Sequence, residues 1–170
     1  MINDKLINTL GNRVNNLGLC QPLTTDEIFT VEKELGIKLS KDFIDINLTC
    51  SYEYISFFSA YNFGLTNKQS VTNETLSLRK ECNLPNNYVV LAQQDDVSFV
   101  LLKTISEEKS EVIWCDYMDL FNFCDTGKFV YNPTIFPSFT DFYQFLLDEE
   151  EKSRAEDKVT QQFPAIPNMT

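Results

Sequence analysis

Residues 88–103, YVVLAQQDDVSFVLLK, place two apolar runs on either side of a polar centre. Tyr88–Ala92 and Val97–Leu102 are rich in β-branched and aromatic residues, and each reads as a strand. Gln93–Asp96 is the turn between them, longer than the tight two-residue hairpin loop. Ahead of it, Leu84-Pro85-Asn86-Asn87 punctuates the chain, because Pro85 has no N–H for a ladder and Asn tolerates turn geometry. A strand with one wet face alternates polar and apolar side chains. These runs are almost unbroken, so helices are expected to cover both faces of the sheet, at least in part. Such a hairpin is core in almost any α+β protein and says nothing about function by itself.

The rest of the chain supplies those helices. Ile2, Leu6, Leu10, Val14 and Leu17, widened by Ile7, predict a first helix over 2–17 closed by Gly18. Thr24-Thr25-Asp26-Glu27 is a capping box, with Leu23 and Ile28 as its hydrophobic staple. The helix it opens buries Ile28, Val31 and Leu35 and ends at Gly36. Ser40 caps a third, short helix with Phe43, Ile46 and Asn47 on one side. Tyr52 to Phe63 is dominated by aromatics and reads as a strand or an irregular segment; such runs are more often core than ligand platform. Val71, Leu76 and Leu78 predict a helix over 68–81.

Past the hairpin, 106–111 is a charged turn and 112–115 a third strand. Residues 116–126 mix acids with Tyr117, Met118, Leu120, Phe121 and Phe123, and a Gly127 turn follows. Phe129–Tyr131 adds a short strand before Pro133. Ser138, with Asp141 three residues on, caps a final helix striped by Phe139, Phe142, Phe145 and Leu146. The helix dipole opposes the acid run Asp148–Glu151 unless the helix continues, as Lys152, Arg154 and Lys158 suggest. The expectation is one α+β domain over 1–158, followed by a tail over 159–170.

Charge and missing residues narrow the function. The chain carries 25 Asp and Glu against 14 Lys and Arg, a net charge of −11. That field repels phosphate, so direct binding of nucleic acid is not expected. There is no His, which removes the usual general base, the Ser-His and Cys-His pairs and the commonest transition-metal ligand. The five Gly stand alone, so no phosphate-cradling loop can be built from them. A carboxylate pair can do acid–base work, but no pair stands out among so many acids. Asp95-Asp96 reads as an Asx-type turn pair, since an EF-hand loop needs further ligands and a Gly. No catalytic residue, metal site or cofactor is therefore expected. Five Cys, at 20, 50, 82, 115 and 124, with no CxxC, read as reduced, mostly buried thiols in a cytosol. No leader and no apolar run of membrane-spanning length is seen, which puts the expected location in the cytoplasm.

Three stretches, taken in order, resemble the SUKH superfamily, whose founding members are fungal cell-wall assembly regulators of the Smi/Knr type. In IFTVEKELGIKLSKDF, 28–43, Glu32, Leu35, Gly36, Ile37, Leu39, Asp42 and Phe43 fit the family pattern, while Ser40 stands where a Pro is usual. LPNNYVVLAQQDDVSFVLL, 84–102, matches a Leu-Pro before a strand, a polar turn and a strand, with Gln93–Asp96 in place of a Gly-rich turn. FPSFTDFYQFLLDEE, 136–150, is similar to the closing helix. The resemblance implies a central, mainly antiparallel sheet packed with N-terminal helices and a closing C-terminal helix, and no catalytic residues. Bacterial members are widely immunity proteins that bind and block a cognate toxin domain, often a nuclease, inside the producing cell. The alternative it offers is a regulatory or scaffold protein with other partners.

A basic nuclease cleft would be met by a carboxylate-rich surface. In an antiparallel meander the 93–96 turn and the segment after the third strand lie at one end of the sheet. Asp95, Asp96, Asp116, Asp119 and Asp125, with Tyr117 as aromatic anchor, are therefore the candidate partner-binding rim.

Overall fold

In the computed structural model, residues 4–13, 22–51, 54–55, 58–61, 70–94 and 97–162 are described. The elements are α1 (Asp4–Asn12), α2 (Thr25–Leu35), α3 (Lys41–Thr49), β1 (Tyr54–Ile55), β2 (Phe58–Ser59), α4 (Val71–Cys82), β3 (Tyr88–Gln94), β4 (Ser98–Ser106), β5 (Lys109–Asp116), α5 (Tyr117–Thr126), β6 (Thr134–Phe136) and α6 (Phe139–Gln162). Four antiparallel strands in the order β3-β4-β5-β6 form the main sheet, and β1 pairs β2 in a small hairpin. The chain is thus α+β, with helices packed on the sheet.

Both faces of that sheet are buried. The cross-strand row Val89, Leu102, Val112 and Phe136 packs with α1, α2, α3 and α6. The next row, Val90, Leu101 and Ile113, packs with α4 and α5 around Leu78, Leu120 and Phe123. Alternation along each strand sends neighbouring side chains to opposite helical layers, which is why the runs carry almost no polar residue.

Local signals hold at the helix ends. Thr24 Oγ1 accepts the Glu27 N–H at 3.2 Å and the Glu27 carboxylate accepts the Thr24 N–H at 2.7 Å, a reciprocal capping box. Ser138 Oγ accepts the Asp141 N–H at 3.1 Å at the start of α6. That helix passes the acid run and reaches Gln162, four residues into the stretch expected as a tail. The expected first helix is seen as α1; Val14, Leu17, Gly18 and Cys20 lie outside the described residues.

Other expectations are corrected. Leu76 is exposed, and α4 turns Val71, Thr72, Thr75, Leu78 and Cys82 inward, because Thr75 has a buried task. Residues 129–131 are not a strand; the last strand is 134–136, since Val130 and Tyr131 give their N–H groups to Asp119 rather than to a ladder. Residues 117–126 form a full helix, α5. The all-thiol expectation also fails: Cys50 is disulfide-bonded, its partner lying outside the described residues, while Cys82, Cys115 and Cys124 are free. One bridge between distant cysteines leaves no spacing signature in the sequence.

The sheet edges are closed to strand pairing. At a bulge in β3, the Val90 N–H turns outward to Thr75 Oγ1 at 2.9 Å, and the Leu91 carbonyl accepts the Tyr61 N–H at 2.8 Å. Ladder parity carried from Val90 through Leu101 and Ile113 leaves the Ile135 amide and carbonyl facing away from β5. Pro133 and Pro137, two residues to either side of Ile135, have no N–H to offer there.

Two outcomes test this account. Ser40 precedes α3, but its side chain makes no cap bond; the buried hydroxyl has no partner. Its φ of −71° is that of proline. Ser40→Pro should therefore raise stability by about 0.5–1 kcal/mol, read as a higher urea midpoint at unchanged slope. A lower midpoint would mean that the ring does not fit. Arg13 makes a bidentate pair with Glu150, closing α1 onto α6. The Arg13 hydrogen bond is the main cause holding the Glu150 carboxyl below its usual value. A lowered folded value means that the stabilisation is full above the unfolded carboxylate range and is lost as pH falls through the folded value. Melting of the wild type should fall more steeply below about pH 4.5 than that of Glu150→Gln. Equal slopes would remove the pair from the acid response.

Candidate interaction surface

Val97, the β5–α5 junction and the segment leading to β6 lie toward one end of the sheet. The Tyr117 N–H donates to the Val97 carbonyl at 2.7 Å, joining the first two parts. Asp116 ends β5 and caps α5: its carboxylate accepts the Met118 N–H at 2.7 Å, and the side chain stays exposed. The Tyr117 ring stacks on Phe99 with centroids 5.7 Å apart and leans on Phe121 at 4.8 Å. This aromatic file fixes the ring while leaving its edge accessible.

Asp119 does not reach the surface. It is 1% exposed, and Oδ1 accepts the Val130 N–H at 2.5 Å and the Tyr131 N–H at 3.2 Å. That one oxygen folds the chain after α5 back along the helix. Side chains that follow are thrown outward: Val130 is 63% exposed and Tyr131 66%, beside Met118 at 67%. Ile135, on the α5 side of the sheet, continues the row Val90-Leu101-Ile113 beyond the reach of the helices and is 54% exposed. Val97 is exposed too. Single exposed apolar residues are ordinary; this many toward one end of the sheet, with an exposed carboxylate at Asp116, make it the candidate interaction surface.

The sequence-derived rim is brought together only in part. Asp116 and Tyr117 are at this end. Asp125 is exposed but sits in the last turn of α5, about 12 Å along the axis from Tyr117, because the segment is a helix that runs away from the rim. Asp95 and Asp96 lie outside the described residues. Met118, Val130, Tyr131 and Ile135 were missed, since apolar residues beside aromatic ones read as core; the signal was the Pro133–Pro137 frame around a three-residue strand.

Among the described residues no group of three His, Cys, Asp or Glu is placed to hold a metal, and no helix is long and apolar enough to cross a membrane. A second, charged cleft lies between α2, α3 and the Glu107–Glu108 turn; its two lysines are already paired, Lys38 with Glu32 at 2.7 Å and Lys41 with Asp45 at 3.0 Å, and Glu107 and Glu108 complete its acidic lining.

Asp119→Ala should cost about 2–3 kcal/mol and shift the Val130 and Tyr131 amide resonances, because the buried acceptor of two N–H groups is lost. Asp119→Asn, which still accepts, should cost less. A neutral Asp119→Ala would show that the loop holds itself.

The remaining motif residues build the scaffold. Glu32 Oε1 accepts the Leu39 N–H at 2.9 Å across the turn in which Gly36 adopts φ 64°. The Asp42 carboxylate accepts from Ser110 Oγ at 3.4 Å and from the Thr140 N–H at 3.2 Å, tying α3 to β5 and α6. The Phe43 ring packs on Phe139 with centroids 4.6 Å apart. No curated protein matches the chain. A family sequence model described as SMI1-KNR4 cell-wall, SUKH_5, matches residues 3–132, and with more than half of its length so covered the chain belongs to this SUKH family.

Proposed function

We propose that this protein is an immunity-type SUKH domain that neutralises a cognate bacterial toxin domain by protein–protein contact, without catalysis of its own. The carrying observation is the apolar face of Met118, Val130, Tyr131 and Ile135, edged by Asp116, on a chain of net charge −11. A toxin that acts on nucleic acid must attract phosphate, so its cleft is basic. A partner of opposite charge gains fast, steered association, and exposed aromatic anchors supply the residence time. Both sheet edges are closed, so contact is made through side chains rather than an added strand.

A cytoplasmic location fits this role. The disulfide at Cys50 weighs against it, since such bonds are rare in reducing compartments. Alkylation trapping of Cys50 in living cells decides between them: a free thiol supports the cytoplasm.

The direct test is co-expression with a toxin domain encoded beside the gene. Protection and a stable complex are expected; a toxin unaffected by the protein would overturn the reading in favour of a scaffold role. Within the complex, Tyr131→Ala should weaken binding by about 2 kcal/mol, mainly through faster dissociation. Asp116→Asn keeps the helix cap and removes the charge, so it should slow association at low salt and leave the melting temperature unchanged. Unchanged rates in both variants would remove this face from the interface.

A further inference from the structure

Away from that face, three thiols meet in the layer between α4, α5 and the sheet. Cys82 is the last residue of α4, Cys124 lies in the third turn of α5 and Cys115 sits on β5. The Cys82 thiol donates to Cys124 Sγ at 3.1 Å. That separation is about 1 Å longer than a disulfide bond, whose length is about 2.05 Å. Cys82 is buried, while Cys124 is half-buried and open to a reagent from solvent.

We propose that Cys82 and Cys124 form a modification site: a dithiol that a small-molecule disulfide of the glutathione class oxidises to an intramolecular disulfide joining α4 to α5. The Cys124 thiolate attacks one sulfur of glutathione disulfide, which forms a mixed disulfide and releases the first glutathione thiolate. The Cys82 thiolate then attacks the Cys124 sulfur, which closes the protein disulfide and releases the second. Two electrons pass from the cysteine pair to the reagent, and the two thiol protons end on the two glutathiones. Order of attack follows access: of the three thiols Cys124 is the one open to solvent, and Cys82 is the thiol at hydrogen-bond distance from its sulfur.

The surroundings set the pace of the reaction. Burial, then the Cys82 hydrogen bond and the nearby Asp125, pushes the Cys124 thiol well above its ordinary value. Burial pushes Cys115 up to about 12. Since the thiolate is the nucleophile, oxidation should be slow at neutral pH and accelerate with rising pH. Cys115 should stay a bystander. The closed bridge fastens the helix that presents Tyr117 and Met118 to its neighbour α4.

The test exposes the folded protein to glutathione disulfide, quenches with acid, alkylates under denaturing conditions and maps the peptides by mass. Wild type should gain a Cys82–Cys124 cross-link, and Cys115→Ser should do the same. Cys82→Ser should instead accumulate a glutathionyl adduct on Cys124, on the order of tenfold above its level in wild type, because the resolving sulfur is gone. If Cys82→Ser does not fold, Cys82→Ala keeps the site apolar and serves in its place. The proposal is overturned by a wild type that retains the adduct, by a cross-link through Cys115, or by thiols that stay free under conditions that oxidise the urea-unfolded chain.

Discussion

A sheet wet on neither face has to be sandwiched, and most of this molecule follows from that requirement. Val89, Leu102 and Val112 look one way; Val90, Leu101 and Ile113 look the other. Leaving either row in water would cost on the order of 25 cal/mol for each Å² of apolar surface, so two helical layers are needed. The first is assembled from α1, α2, α3 and α6, elements far apart in sequence, and polar groups placed between them fix their docking. Asp42 does this for α3, β5 and α6, and Arg13 with Glu150 does it for α1 and α6. The second layer is thinner and stops short of β6, which is why the row that continues into Ile135 emerges into solvent.

Features governed by near neighbours in the chain were legible. The capping box at Thr24, the left-handed Gly36, the two long strands and the buried face of α3 each depend on residues within one or two turns. Features governed by distant partners were not. Thr75 faces inward because the bulged Val90 amide needs an acceptor, which no helical periodicity can reveal. The last strand begins after Pro133 because Asp119 claims two amides from the preceding segment. Asp119 shows the limit most sharply: in sequence it is one more surface acid beside Asp116, and in the fold it is the buried bracket that displays its neighbours.

The residues that carry the family resemblance turn out to describe the scaffold and not the face. Glu32, Gly36, Leu39, Asp42 and Phe43 hold turns and helix contacts. Met118, Val130, Tyr131 and Ile135 belong to no motif, and Ile135 lies past the matched span 3–132. The motif residues therefore speak to architecture, while the proposed contact residues stand outside those motifs.

The closed edges have a consequence for how such a surface can change. A protein that binds by lending a strand edge commits its backbone register to the partner, and a new partner must accept the same register. Here Thr75 and Tyr61 occupy one edge and the two prolines frame the other. On the proposed face the backbone would be held apart from recognition, and specificity would reside in a few outward side chains on a fixed frame. Point substitution can then retune the choice of partner one residue at a time at little cost in stability. Domains that must keep pace with a rapidly diversifying adversary would need that separation of scaffold from surface.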